Sequence, residues 1–330
     1  MKLLRIVLFT YFSLSLVACA HNACPPSAEA PKFNKGHSLI TTPCSCLVSA
    51  PCSRARISDI DKILDELFKT KKPIVLYVHG RGDEPEKTWK KGIIKTLEKD
   101  YVVKVLMFNW HSYGFALDRP VGEAKAGAPY LREVIDRLKK YREAKPDSNA
   151  VPVSLLVHSM GNIVFRNAVD GLSLTTTDGP LFTNILMTGS DEDAEGHNIW
   201  VNKLSSRGTI LITINKKDGT LTGFIGSHHD DNTTPLGINP KPPLADNAYY
   251  LDVTGLVGKT HRLFRKERQK DQVAVCNILT AMLRGEKPNL TVGPNIKEVN
   301  GRILVPVNKQ NEADKCFQDV KQESDEEDDE

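Results

Sequence analysis

The stretch Val153-Ser154-Leu155-Leu156-Val157-His158-Ser159-Met160-Gly161-Asn162-Ile163-Val164 constrains this chain more than any other. Its apolar run, Leu155 to Val157, reads as a short buried strand, and residues 162 to 169 have helical character closed by Gly171. Ser159 then stands on a tight strand-to-helix turn, with its hydroxyl thrust out at the carboxyl edge of a sheet. That is the geometry of a nucleophile elbow, in which small residues around the serine let strand and helix approach closely. Gly161 fits the downstream position of G-x-S-x-G, whereas Val157 stands where the pattern has glycine. The competing reading is an ordinary strand-helix turn with a capping serine. The rest of the chain has to decide.

Two basic residues, Lys2 and Arg5, precede an apolar run from Ile6 to Ala18 that is too short for a comfortable membrane span. Residues 1–18 therefore read as a signal peptide. Its end, Leu16-Val17-Ala18-Cys19, resembles the lipobox of bacterial lipoproteins, which implies cleavage before Cys19 and lipidation of that thiol. The alternative is a plain signal cleaved near Ala18 or Ala20. In such lipoproteins Ala20, rather than Asp, favours the outer membrane. The expected location is thus the bacterial cell envelope, lipid-anchored and facing the periplasm or the cell surface. Each buried lipid methylene adds about 0.8 kcal/mol, so a lipidated Cys19 anchors the body with no transmembrane helix.

Removing Cys19 from the seven cysteines leaves Cys24, Cys44, Cys46, Cys52, Cys276 and Cys316. An even number in an exported chain points to disulfides, and Cys276 with Cys316 would pin the C-terminal extension to the last helix. Cys44-Ser45-Cys46 with Cys52 has no further ligand at metal spacing, so no metal site is expected there. Residues 19–54 are rich in Pro, Ala, Ser and Thr and read as a tether or loosely packed arm. Residues 291–316 form a C-terminal extension in which 299 to 307 could add an edge strand, Pro306 arguing against a central one. Residues 317–330 are an acidic disordered tail: from Asp319 onward eight residues are acidic and one is basic. Without leader and tail the body carries a net charge near +8. That charge could suit an anionic membrane surface or an acidic partner, but a solvated surface with scattered lysines is the preferred reading, and no nucleic-acid partner is expected.

Between residues 55 and 290 strands and helices alternate. Ile60, Ile63, Leu64, Leu67 and Phe68 keep helical spacing after a possible cap at Ser58. Ile74 to Val78 is an unbroken apolar strand. Further strands are expected over 102–110, 153–157, 184–188, 208–214 and 249–253, the last as the final strand of the main sheet. Helices are expected over 85–99, 121–143 and 271–283, the last closed by Arg284 and Gly285. Apolar strands that do not alternate belong in a parallel α/β sheet covered on both faces. Residues 220–248 look inserted.

A serine needs a histidine to take its proton, and that histidine needs a carboxylate to fix its tautomer. Parallel sheets of this kind deliver them in the order serine, acid, histidine. His261, in Gly258-Lys259-Thr260-His261-Arg262 after the last strand, is the candidate base. Asp218, after the strand ending at Ile214, is the favoured acid, with Asp191 and Asp193 after the preceding strand as rivals. The turn His79-Gly80-Arg81-Gly82 suits an oxyanion hole, its donors being the N–H groups of Arg81 and Met160. His158 reads as a packing residue rather than the base. His228 and His229, beside Asp230 and Asp231, read as part of a surface insertion rather than a metal pair.

With these residues in hand, the chain resembles an uncharacterised bacterial family of α/β hydrolases. The family pattern combines a strand-His-Gly turn, a Trp-Pro-Ser-type segment, H-S-M-G-N, an Asn-Asp-like turn and a late histidine. Here the middle segment is Phe108-Asn109-Trp110-His111-Ser112-Tyr113-Gly114 followed by Asp118-Arg119, the Asn-Asp-like turn runs from Asn215 to Asp218, and the histidine is His261. The resemblance covers about residues 70 to 290. It implies an α/β-hydrolase fold, with a mostly parallel central sheet and helices on both faces, and no cofactor. Three functions compete: a cell-envelope serine hydrolase cleaving ester or acyl bonds, lipid substrates included; a non-catalytic binding or structural lipoprotein on the same fold; and an acyltransferase using the same triad.

Overall fold

The computed structural model describes residues 38–41, 60–82, 93–110, 112, 119–170, 172–224, 233–265, 273–294, 296–299 and 302–307. In chain order the elements are β1 (Ser38–Thr41), α1 (Ile60–Lys69), β2 (Ile74–Val78), α2 (Ile93–Tyr101), β3 (Lys104–Asn109) and α3 (Val121–Ala144). Then come β4 (Val153–His158), α4 (Gly161–Val169), the small hairpin β5 (Thr175–Thr176) and β6 (Gly179–Pro180), and β7 (Ile185–Thr188). The chain continues through α5 (His197–Val201), β8 (Ile210–Ile214), α6 (Gly219–Phe224), β9 (Tyr249–Asp252), α7 (Val273–Arg284), β10 (Ile296–Val299) and β11 (Ile303–Pro306).

Successive side chains on a strand point to opposite faces, so a strand covered on both sides must be apolar throughout. β2, β4 and β8 are buried at every position. Ile74, Leu76, Val78, Leu155 and Val157 join one core with the apolar stripes of α1, α3 and α4. Val75, Tyr77, Leu156 and Leu186 join a second core with α2 and α7. Each fully buried Leu, Ile or Phe contributes about 1.5–3 kcal/mol, which holds the layers together.

The main sheet has the order β1-β3-β2-β4-β7-β8-β9-β11-β10. Every pair in it is parallel except β10 with β11. All parallel strands therefore end at one edge, where the functional loops gather.

Three expectations change. Ser38–Thr41, inside the arm expected to be a tether, pairs in parallel with β3 at the open edge of the sheet. Four residues are too few to raise a periodic signal. β9 is not the final strand, because β11 pairs with it in parallel and β10 lies beyond. β11 is consequently interior by one place, and it tolerates Pro306 because that residue is the strand's last. The described part of the expected insertion is also packed: Leu236 is fully buried, and Asn215 N–H donates to the Gly237 carbonyl at 2.8 Å. Cys276 is buried on α7. The other six cysteines, with the segments read as a signal peptide and an acidic tail, His228 and His229, lie outside the described residues.

Candidate active site

β4 ends at His158 and α4 begins at Gly161, so Ser159 and Met160 alone turn the chain. Ser159 has a φ of 54°. A non-glycine residue in that left-handed region costs about 1–3 kcal/mol and persists only where its surroundings hold it. They do so here. Ser159 N–H donates to the Thr188 carbonyl at 3.0 Å, and the Asn162 amide N–H and side-chain Nδ2 both donate to the Ser159 carbonyl, at 3.0 and 2.9 Å. A Cβ on Gly161 would lie 2.6 Å from the carbonyl oxygens of Val78 and His79, so only glycine lets α4 start this close to β2. Val157, the departure from the usual elbow pattern, is fully buried in the larger core.

The turn after β2 packs directly on the elbow: a Cβ on Gly80 would lie 2.6 Å from Ser159 Cβ. Trp110 N–H donates to His79 Nε2 at 3.1 Å, so the His79 proton resides on Nδ1, which donates to the Gly80 carbonyl at 2.6 Å. The Trp110 indole N–H reaches the His79 carbonyl at 2.7 Å, and Gly82 N–H donates to Ser112 Oγ at 3.2 Å. In a trans peptide C=O and N–H point in opposite directions, so anchoring the Gly80 carbonyl aims the Arg81 N–H away from the His79 ring. The Met160 N–H, at the electropositive start of α4, has no backbone acceptor among the described residues.

His261 Nδ1 donates to Asp218 Oδ2 at 2.7 Å, which leaves Nε2 as an acceptor. Asp218 is almost wholly buried, and its Oδ1 accepts from Thr220 N–H at 2.9 Å and Leu221 N–H at 3.1 Å, capping α6. The loop carrying His261 is clamped by Asn215, whose Nδ2 donates to the carbonyls of Gly258 and Thr260, each at 2.9 Å. The rival carboxylates are placed otherwise. Asp191 Oδ2 and its carbonyl accept from Arg119 Nε and Nη2 at 2.9 and 2.6 Å, and Asp193 is exposed. The Arg119–Asp191 pair has no local sequence signal, because 72 residues separate its members.

His158 is buried beneath the site, its ring centroid 4.6 Å from that of His261, with Nδ1 facing the Thr188 carbonyl at 3.3 Å. Burial, with the neighbouring His261 acting in the same sense, holds its pKa well below the ordinary 6.5. His197 is also held low by burial; its Nδ1 donates to the Ala194 carbonyl and its Nε2 accepts from Tyr250 Oη, both at 2.7 Å. Glu192 is pushed up to about 7, again by burial. These groups set the sign of the acid response. Below pH 6.5 the unfolded chain protonates both histidines while the native state does not, so stability falls as pH falls. Glu192 opposes this between about pH 4.5 and 7, where only the native state retains its proton. Glu98, also raised by burial, opposes it in the same sense. The expected result is a thermal midpoint that, from pH 6.5 to 5, moves less in the destabilising direction in His158→Asn than in the wild type; an equal slope in that variant would remove His158 from the account.

Arg81, Met160, Ser159, His158 and His261 line one cavity of about 590 Å³ at the carboxyl edge of the sheet. Asp191, Arg119, Thr220, Leu221, Lys259, Thr260, Arg262 and Arg265 complete its wall. A strained serine and a carboxylate-bound imidazole on one cavity, with a glycine turn packed against the elbow, form an arrangement suited to acyl transfer.

Sheet order, elbow and loop placement together define an α/β hydrolase. More particularly, the chain belongs to the family of alpha/beta hydrolases of unknown function (DUF900), whose model matches residues 56–222. That match takes in Ser159 and Asp218 and ends before His261. No curated protein matches the chain.

Proposed function

We propose that this protein is a cell-envelope serine hydrolase that cleaves ester bonds through an acyl-enzyme. The observation that carries the reading is the 2.7 Å bond from His261 Nδ1 to Asp218 Oδ2, on a histidine that shares a cavity with the strained Ser159. Asp218 holds the tautomer in which His261 Nε2 takes the Ser159 proton as Oγ attacks the carbonyl carbon. The N–H groups of Arg81 and Met160 receive the oxyanion, one such donor being worth about 3 kcal/mol in the transition state. His261 then protonates the leaving alcohol, and a water activated by the same imidazole releases the acid from Ser159. The lipobox-like Leu16-Val17-Ala18-Cys19 supports anchoring by lipid on Cys19.

One experiment tests both halves. A fluorophosphonate probe applied to fractionated cells should label Ser159 in the membrane fraction, because only an activated serine reacts. Cys19→Ser should keep the label and move it to the soluble fraction. No labelling of wild-type protein would favour a non-catalytic binding module. A labelled Cys19→Ser protein that stays in the membrane would end the lipid-anchor proposal.

A further inference from the structure

The cavity wall carries more charge than an esterase for neutral acyl groups requires. Its described lining holds five cationic side chains, Arg81, Arg119, Lys259, Arg262 and Arg265, against one carboxylate, Asp191. Asp191 is committed to Arg119, and the backbone N–H of Asp191 reaches the Ser159 carbonyl at 3.4 Å. Arg119 is therefore a positioned cation tied to the elbow rather than a surface side chain free to swing. Lys259 and Arg262 bracket His261 in sequence, and both face the same space. Among the described lining residues the apolar side chains are Met160 and Leu221.

We infer that the substrate is an anionic ester, with a carboxylate or phosphate group held in this cavity by the Lys259–Arg262 loop and Arg119 while its ester carbonyl lies at Ser159. The inference rests on the hydrolase reading above and adds the substrate class. A concave site whose described lining is mostly cationic concentrates the field, which raises encounter with an anion. Guanidinium and ammonium donors then form charge-assisted bonds to its oxygens.

The test compares p-nitrophenyl esters of equal length: the succinate monoester, the 3-phosphopropanoate and the neutral butyrate. At least one anionic ester should exceed butyrate in kcat/KM by about tenfold or more, and the preferred one names the anion. Lys259→Glu should cut that ratio severalfold, as should about 0.5 M salt, through screening of an open charged cleft. Lys259 is exposed, so its replacement does not threaten the core. Binding is measured separately in Ser159→Ala by calorimetric titration with methyl hemisuccinate and methyl butyrate. Tighter hemisuccinate binding supports the anion site even if the wild-type protein hydrolyses nothing, a result that would sink the hydrolase reading alone. Equal turnover of all three esters, or equal binding of the two methyl esters, overturns the inference and leaves the hydrolase reading standing.

Discussion

Ser159→Ala and His261→Ala are each expected to bring ester turnover close to background, a loss on the order of 10⁴–10⁶ in kcat. The two act as a unit, because without the imidazole the serine keeps its proton and without the serine the imidazole has nothing to activate. The double variant should therefore be little worse than either single one, with residual rate coming from the donors at Arg81 and Met160. Neither change removes a core side chain: Ser159 holds its turn mainly through its backbone, and His261 lies at the cavity. Thermal midpoints near that of the wild type should accompany the loss. Single variants that retain a tenth of wild-type kcat/KM would show that Ser159 is a turn residue and not a nucleophile.

Asp218→Asn should cost about 10⁴ in kcat while leaving the fold intact. Asparagine is as good a helix cap as aspartate, so its oxygen continues to accept from Thr220 and Leu221 at the start of α6. Its NH₂ group then faces His261 Nδ1 and forces that nitrogen to accept. The proton moves to Nε2, which no longer takes one from Ser159. Asp191→Asn should be milder, about tenfold, because the residue's backbone carbonyl still holds Arg119 Nη2. Asp193→Asn, at an exposed position, should leave kcat/KM at the wild-type value. The measurement is kcat/KM on one ester for the three variants; the reverse ranking, with Asp191→Asn crippled and Asp218→Asn active, would move the acid to the loop after β7.

Much of this molecule is legible in its sequence, and the reason is locality. The unbroken apolar runs at 74–78 and 153–158 specify strands buried on both faces, since exposing either side to water is unfavourable. The spacing of Ile60, Ile63, Leu64, Leu67 and Phe68 specifies a helix with one buried stripe. Gly161 after Ser159 marks the elbow because only a missing Cβ allows the approach to β2.

Short segments are less legible. Ser38–Thr41 raises no strand signal, and the strand within 299–307 is expected at an edge rather than between β9 and β10, because so few residues do not announce the partners they meet. The sequence favours Asp218 as the acid but leaves Asp191 and Asp193 as rivals, because all three follow strands at the same edge. Tertiary structure separates them. It sets Arg119 against Asp191, leaves Asp193 in solvent and brings Asp218 to His261 across 43 residues. It likewise gathers five cations, from loops far apart in the chain, around one serine. A strand or an elbow is specified by the few residues that form it. A charge pair is specified by where the parallel strands end in space, and that depends on the whole sheet.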